Sequence, residues 1–289
     1  MDSTNQVNRK ASTLTAISMA VVFSATFIFA YFPVWKILIM SWYGSDDYSH
    51  GFFIVPISLF IIWQKRQTLS QISIHPSVWG LVLVVFSLLL YLVAHFAEIV
   101  TLSSFSMVLF LAGAVLYLYS YGMLKELLFP LFLLLFMIPV PAQIYATLTI
   151  PLQLFVSKAS VWLASLFGLP VYREGNVIDL PNHTLQVVQA CSGLRSMISL
   201  LTLGAVFGYF TLRSNVLRTI LFLSGIPAAI FVNIIRILVM ILAFYYFNYD
   251  LTTGSIHTVF GVIIFMLALL FIAMMKGILL PWDKSTAQE

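Results

Sequence analysis

The chain of 289 residues contains a single cysteine, Cys191, in the stretch VVQACSGLRS. Arg195 follows it four residues later, within the apolar run CSGLRSMISLLTLGAVFGYF. A second arginine, Arg236, lies in IFVNIIRILVMILAF three residues after Asn233, and His257 opens another apolar run in TTGSIHTVFG. A thiolate is a nucleophile, and a free thiol with a pKa of about 8.5 is mostly protonated at neutral pH. A neighbouring imidazole takes that proton or forms an ion pair with the thiolate, and a nearby cation favours the charged sulfur. Arginine stays protonated and can hold the oxyanion of a tetrahedral intermediate, where one donor is worth roughly 3–4 kcal/mol in other enzymes. Cysteine, arginine and histidine therefore make an acyl-transfer set. Arg195 could instead fix a substrate carboxylate, with Asn233 orienting its neighbours.

Each of these residues also has a bland explanation. A lone membrane cysteine serves as a small packed side chain, or bridges to another molecule. A histidine at a helix start is commonly an interfacial residue. Two arginines inside apolar runs are harder to dismiss, since each costs roughly 2.5–3.5 kcal/mol on insertion and usually faces an interior or an aqueous cavity. One cysteine excludes an intrachain disulfide framework and any multi-cysteine metal site. His50, His75, His95 and His183 have no metal-ligand spacing. No metal and no cofactor are expected.

The elements that must position these groups follow from composition. Hydrophobic residues make up 61% of the chain, charged residues only 8%, and mean hydropathy is +1.03. Soluble domains carry about 25% charged residues, so the chain reads as an all-α integral membrane protein. The net charge of +4 includes no basic cluster dense enough to track phosphates, so no nucleic-acid partner is expected. Spans of about 20 apolar residues fall at 14–34, 51–63 (extendable backwards), 79–97, 102–120, 127–145, 188–210, 217–243 and 256–275. The apolar stretch 146–168, which carries Lys158, is expected to be re-entrant or interfacial rather than crossing. The whole chain, 1–289, reads as one multi-pass membrane domain with short cytoplasmic tails, 1–13 and 276–289.

Loop charge gives the orientation. With the N-terminus and C-terminus cytoplasmic, Arg9, Lys10, Lys65, Arg66, Lys125, Arg213, Arg218, Lys276 and Lys284 all fall inside. Outside fall Lys36 and Arg173 with Asp46, Asp47, Glu98, Glu174, Asp179 and Asp250. This is the positive-inside asymmetry, and a crossing 146–168 would invert the C-terminal half. Under it the helices opened by Cys191 and His257 both run from outside to inside, and Arg236 lies toward the outer end of the helix between them. Pro227, in SGIP, predicts a kink or break in that helix. Gly204 and Gly208 form a GxxxG that permits close helix approach.

ACSGLRS in an apolar helix, NIIRI about 40 residues on, and GSIHTVFG some 20 further resemble the exosortase/archaeosortase family. The early DDYSHGFFIVPIS and the approach PVYREGNVIDLPNHTLQVVQACSG are similar to that family as well, although Gln189 stands where an acidic residue is expected. The resemblance implies a multi-pass protein-sorting transpeptidase of the bacterial inner membrane, with its site facing the periplasm. Its partners would be membrane lipid, an unknown acceptor nucleophile and exported proteins ending in a Pro-Glu-Pro-like motif, a transmembrane helix and a basic cluster. The family commonly accompanies exopolysaccharide genes. By resemblance Cys191 would form a thioester at the motif, Arg236 would stabilise the oxyanion or help activate the thiol, and His257 would shuttle the proton. Ser192, Gly193, Arg195 and Asn233 would support the site or bind substrate. Two other readings compete: a transporter or channel binding an anion through the arginines, and a non-catalytic factor for polysaccharide export.

Overall fold

The structure, a computed structural model, describes residues 21–45, 47–181, 183–187, 194–251 and 254–285. It divides into two compact units, Met1–Pro139 and Val140–Glu289. Among the described residues the protein is mostly helical, and five helices are long and apolar enough to cross a membrane, or six if one bent pair forms a single span.

That bent pair opens the first unit. Helices α1 (Val21–Ala30) and α2 (Phe32–Gly44) meet at Tyr31 with a bend of 68°. Pro33 explains the bend, because its ring clashes with the carbonyl four residues back and offers no N–H to the ladder. Helix α3 (Gly51–Gln64) is followed by the short α4 (Arg66–Gln71). Helices α5 (Val78–Phe96) and α6 (Val100–Leu118) form a hairpin in which Gly80 lies directly against the Tyr117 backbone. A Cβ at position 80 would also come within 2.7 Å of the Leu116 carbonyl carbon, so only glycine fits. Helix α7 (Tyr121–Leu134) runs antiparallel to α3 and ends in a 3₁₀ turn, Leu135–Met137. Its Pro130 cannot donate to the Glu126 carbonyl, and the ammonium of Lys65 fills that place at 3.1 Å while pairing with the Glu126 carboxylate at 2.7 Å.

The apolar stretch 127–145 is therefore not one helix, contrary to expectation. Pro139 and Pro141 remove two backbone donors and push the residues before them out of the α region, so the chain is extended from Ile138 to Pro141. Helix α8 (Ala142–Leu166) then runs 25 residues without a break. Residues 146–166 are thus continuous helix and form no re-entrant loop. Helix α8 is itself long and apolar enough to cross, and Lys158 lies on its exposed side.

The rest of the second unit adds one element beyond the expected helices. Strands β1 (Tyr172–Glu174), β2 (Val177–Leu180) and β3 (His183–Gln186) form an antiparallel sheet in that order. Gly175, at φ +61°, supplies the first central residue of the two-residue β1–β2 turn. Ile178, Leu180, Leu185 and Val187 form one buried face, packed with Val156 of α8 and with Ile237, Met240 and Ile241. Polar Asp179, Thr184 and Gln186 alternate with them on the other face.

Helix α9 (Leu194–Thr211) turns into α10 (Asn215–Leu223), and α11 (Gly225–Phe247) follows after Ser224. The interruption falls at Leu223–Ser224 rather than at Pro227 itself, since proline disrupts the ladder at the carbonyl four residues back. Gly204 and Gly208 bring α9 onto α10: a Cβ at 204 would lie 3.1 Å from the Leu221 carbonyl oxygen, and one at 208 would lie 3.5 Å from Arg218 Cα. The last helix, α12 (Gly254–Ser285), extends ten residues beyond the expected span, so most of the expected tail 276–289 is helical.

Candidate active site

Cys191, Ser192 and Gly193 lie outside the described residues. The elements on either side of them are described. Upstream, the hairpin delivers the chain: the Val187 N–H donates to the Asn176 carbonyl at 2.8 Å, and Asn176 Nδ2 donates back to the Val187 carbonyl at 3.0 Å. Val187 is 1% exposed, so the chain is anchored four residues before the thiol. Sequence reasoning took this stretch only as an approach to Cys191. The signal for strands was present in the alternation of VIDL and TLQV, with a Gly-Asn pair just before the first of them and Pro-Asn between the two.

Downstream, α9 begins at Leu194 with Arg195 in its first turn. Asn233 and Arg236 lie on the inward side of α11, between neighbours that pack in two directions. Val232 and Ala229 belong to the core shared with α12, whereas Ile237 and Met240 belong to the core shared with the sheet. Asn233 is buried at 4% exposure; Arg236 is half-buried, with its Nε inside the protein. The Ile234 carbonyl accepts the Ser160 hydroxyl of α8 at 3.2 Å, which fixes this part of α11 laterally. His257 is the fourth residue of α12.

The depth of these positions follows from a shared reference point. The Asp283 carboxylate accepts the backbone N–H groups of Arg213 and Ser214, each at 2.8 Å, and so pins the end of α12 to the α9–α10 turn. Counted from that point at 1.5 Å per residue, Leu194 lies about 28 Å along α9. On the same count Arg236 lies about 33 Å along α10 and α11, and His257 about 39 Å along α12. All three positions therefore fall toward the same end of the second unit, within about 11 Å of one another in depth. The sheet packs on α8 and the C-terminal half of α11 at that end.

In the first unit the DDYSHG stretch has a structural role that its sequence did not reveal. His50 Nε2 lies 3.0 Å from the Phe136 carbonyl, which can only accept, so the proton is on Nε2. Trp42 Nε1 donates to the Met137 carbonyl at 2.9 Å, and Gly51 lies directly beneath the Trp42 indole. Together they hold the 3₁₀ turn at the end of α7. Burial lowers the His50 pKa from its usual range, outweighing the Phe136 carbonyl and the nearby Asp47, and favours the neutral ring.

The model of the transmembrane exosortase family matches residues 42–274. The chain belongs to that family. Membership makes this exosortase a peptidase- or transpeptidase-type enzyme of the membrane, whose substrates are proteins that carry sorting signals. Comparison with curated proteins and with solved structures found no match.

Proposed function

We propose that this exosortase is a cysteine transpeptidase that cleaves C-terminal Pro-Glu-Pro-type sorting signals at the periplasmic face of a bacterial inner membrane. Cys191 Sγ attacks the carbonyl carbon of the scissile peptide, and a carbon–sulfur bond forms as the thiol proton passes to His257. Arg236, always cationic, donates hydrogen bonds to the oxyanion of the tetrahedral intermediate. Collapse breaks the carbon–nitrogen bond; His257 returns its proton to the leaving amine, and the tail departs with its membrane helix. An acceptor nucleophile, or water, then attacks the thioester and regenerates the thiol. Arg195, Asn233, Ser192 and Gly193 support the site or hold the substrate.

The observation that carries this reading is that the start of α9, Arg236 and the start of α12 all fall toward one end of the second unit, opposite the end pinned by Asp283. The orientation rests on loop charge. Arg213, Arg218 and Lys276 cluster toward the pinned end, which the positive-inside rule assigns to the cytoplasm. The opposite end then faces the compartment where an exported substrate, halted by its own helix, presents its motif.

The test is an exported reporter ending in Pro-Glu-Pro, a transmembrane helix and a basic tail, co-expressed with wild type, Cys191→Ala, Arg236→Ala, His257→Ala or Arg213→Ala. Wild type and Arg213→Ala are expected to shorten it on a gel, and the other three are not. Shortening that persists without Cys191 overturns the nucleophile assignment.

A further inference from the structure

The two outer strands of the sheet are not equivalent. Because the Val187 N–H points toward β2, alternation along an antiparallel ladder turns the N–H and C=O groups of Gln186 and Thr184 the other way, toward the open edge of β3. No described residue pairs with that edge. The other edge is partly taken up by its own chain. In β1 the residue that faces outward is Arg173, since Tyr172 and Glu174 form the bonded pairs with Asp179 and Val177. Its guanidinium donates to the Gly175 carbonyl, which also accepts the Ser157 hydroxyl at 3.2 Å, and the Val171 N–H is taken by Leu169 O at 3.0 Å. Strand β1 also carries charges at Arg173 and Glu174, a usual defence against strand addition, whereas Thr184, Leu185 and Gln186 are uncharged.

An open edge of this kind cannot face hydrocarbon, where unpaired backbone groups are too costly. It must face water, the membrane interface or another polypeptide. Its rigidity suits a template: Leu185 and Val187 are buried in the core with α8 and α11, while Thr184 and Gln186 are exposed on the opposite face. Cys191 follows Gln186 by five residues, so the chain carries it no farther than about 18 Å from Gln186. Family membership supplies the class of occupant, a protein substrate that carries a sorting signal.

We propose that β3 is the substrate-docking edge: the segment of the substrate just before its membrane helix adds to the sheet as a fourth strand, bonding to the backbone of Thr184 and Gln186. This rests on the transpeptidase reading for the substrate's identity, and on the sheet alone for the mode of binding. Main-chain pairing would give affinity, and alternate side chains would give specificity. A proline in such a strand is tolerated where its nitrogen faces away from β3, so prolines flanking one bonded residue fit the edge.

The test separates docking from cleavage. Cys191→Ala removes the only cysteine, and Gln186→Cys or Tyr172→Cys is added to that chain. Single cysteines are placed in turn along the segment preceding the reporter's membrane helix, and disulfides are trapped under mild oxidation. Strand addition at β3 predicts cross-links from position 186 at alternate reporter positions, and few from position 172. Equal cross-linking at consecutive positions, no cross-linking from 186, or stronger cross-linking from 172 would overturn it. The uncross-linked wild type reports on the other reading: alternating cross-links with an uncut reporter would retain the docking edge and reject the transpeptidase. A cut reporter without alternation would do the reverse. As a second measurement, Gln186→Pro deletes one outward N–H and should lower cleavage by about 3- to 10-fold, as the loss of one net hydrogen bond implies.

Discussion

Asn176 and Val187 hold each other by two hydrogen bonds, Val187 N–H to the Asn176 carbonyl at 2.8 Å and Asn176 Nδ2 to the Val187 carbonyl at 3.0 Å. The pair closes the sheet where the chain leaves it for Cys191. Replacing Asn176 by Ala leaves the backbone bond and strips the side-chain one from a buried carbonyl, at about 1–3 kcal/mol. Because that carbonyl is four residues from the thiol, Asn176→Ala is expected to reduce reporter cleavage about tenfold or more, chiefly in kcat. A rise in KM with unchanged kcat would instead make Asn176 part of substrate binding.

Asp283 joins two distant parts of the chain through the N–H groups of Arg213 and Ser214. Its removal in Asp283→Ala orphans both donors at the start of α10 and is expected to destabilise the protein. Thermal unfolding in detergent should show a lower midpoint. Asp283→Asn, which keeps one acceptor, should fall between the two.

Glu98 has a φ of +56°, the left-handed region, at the end of α5, where the Ile99 N–H bonds back to the Ala94 carbonyl at 2.9 Å. Such a C-terminal position usually belongs to glycine. Glu98→Gly relieves about 1–2 kcal/mol of backbone strain against roughly 0.5–1 kcal/mol of added chain entropy. A slightly higher unfolding midpoint is expected, and Glu98→Val should lower it.

Burial lowers the His50 pKa below its unfolded value of about 6.5. Between the two values the unfolded chain binds the proton more readily, so the neutral ring's contribution is complete above about pH 6.5 and is lost as pH falls through the folded value. Stability should therefore drop on mild acidification. In His50→Gln, which can still donate to Phe136, that acid-side slope should flatten in a midpoint-against-pH series.

Gly80 faces the Tyr117 backbone, which has nowhere to move in a tightly paired hairpin. Gly80→Ala is expected to destabilise the protein by about 1–3 kcal/mol, as overpacking does. Gly122→Ala, whose Cβ would meet Ile72 at an ordinary 3.4 Å, is the control and should unfold near wild type.

How much of this was legible in the chain depends on the range of the forces involved. Apolar runs identify α5 and α6 within two residues, because a spanning helix is specified by local hydropathy and by its own ladder. The ordered Cys191, Arg236 and His257, and the family they point to, were also legible, since they depend on residue type and spacing. Prolines gave the presence of breaks but not their consequence. Pro227 displaced the interruption to Leu223–Ser224, and Pro139 with Pro141 divided an apolar stretch that hydropathy alone read as one span.

Tertiary structure decided the rest, because pairing and depth depend on residues far apart in sequence. The three-stranded sheet arises from four- and three-residue strands whose pattern is too short to outweigh an apolar context, until α8 and α11 bury one face. The same long-range packing assigned His50 and Gly51 to the 3₁₀ turn after α7, an association 86 residues apart that spacing could not disclose. Composition and order of residues thus determined the membrane, the family and the candidate chemistry. The open edge of β3 and the placement of Arg236 and His257 toward one end exist only once Asp283, Asn176 and the helix-packing faces have met their partners, since a register or a depth is a relation between elements and no local run of residues encodes it.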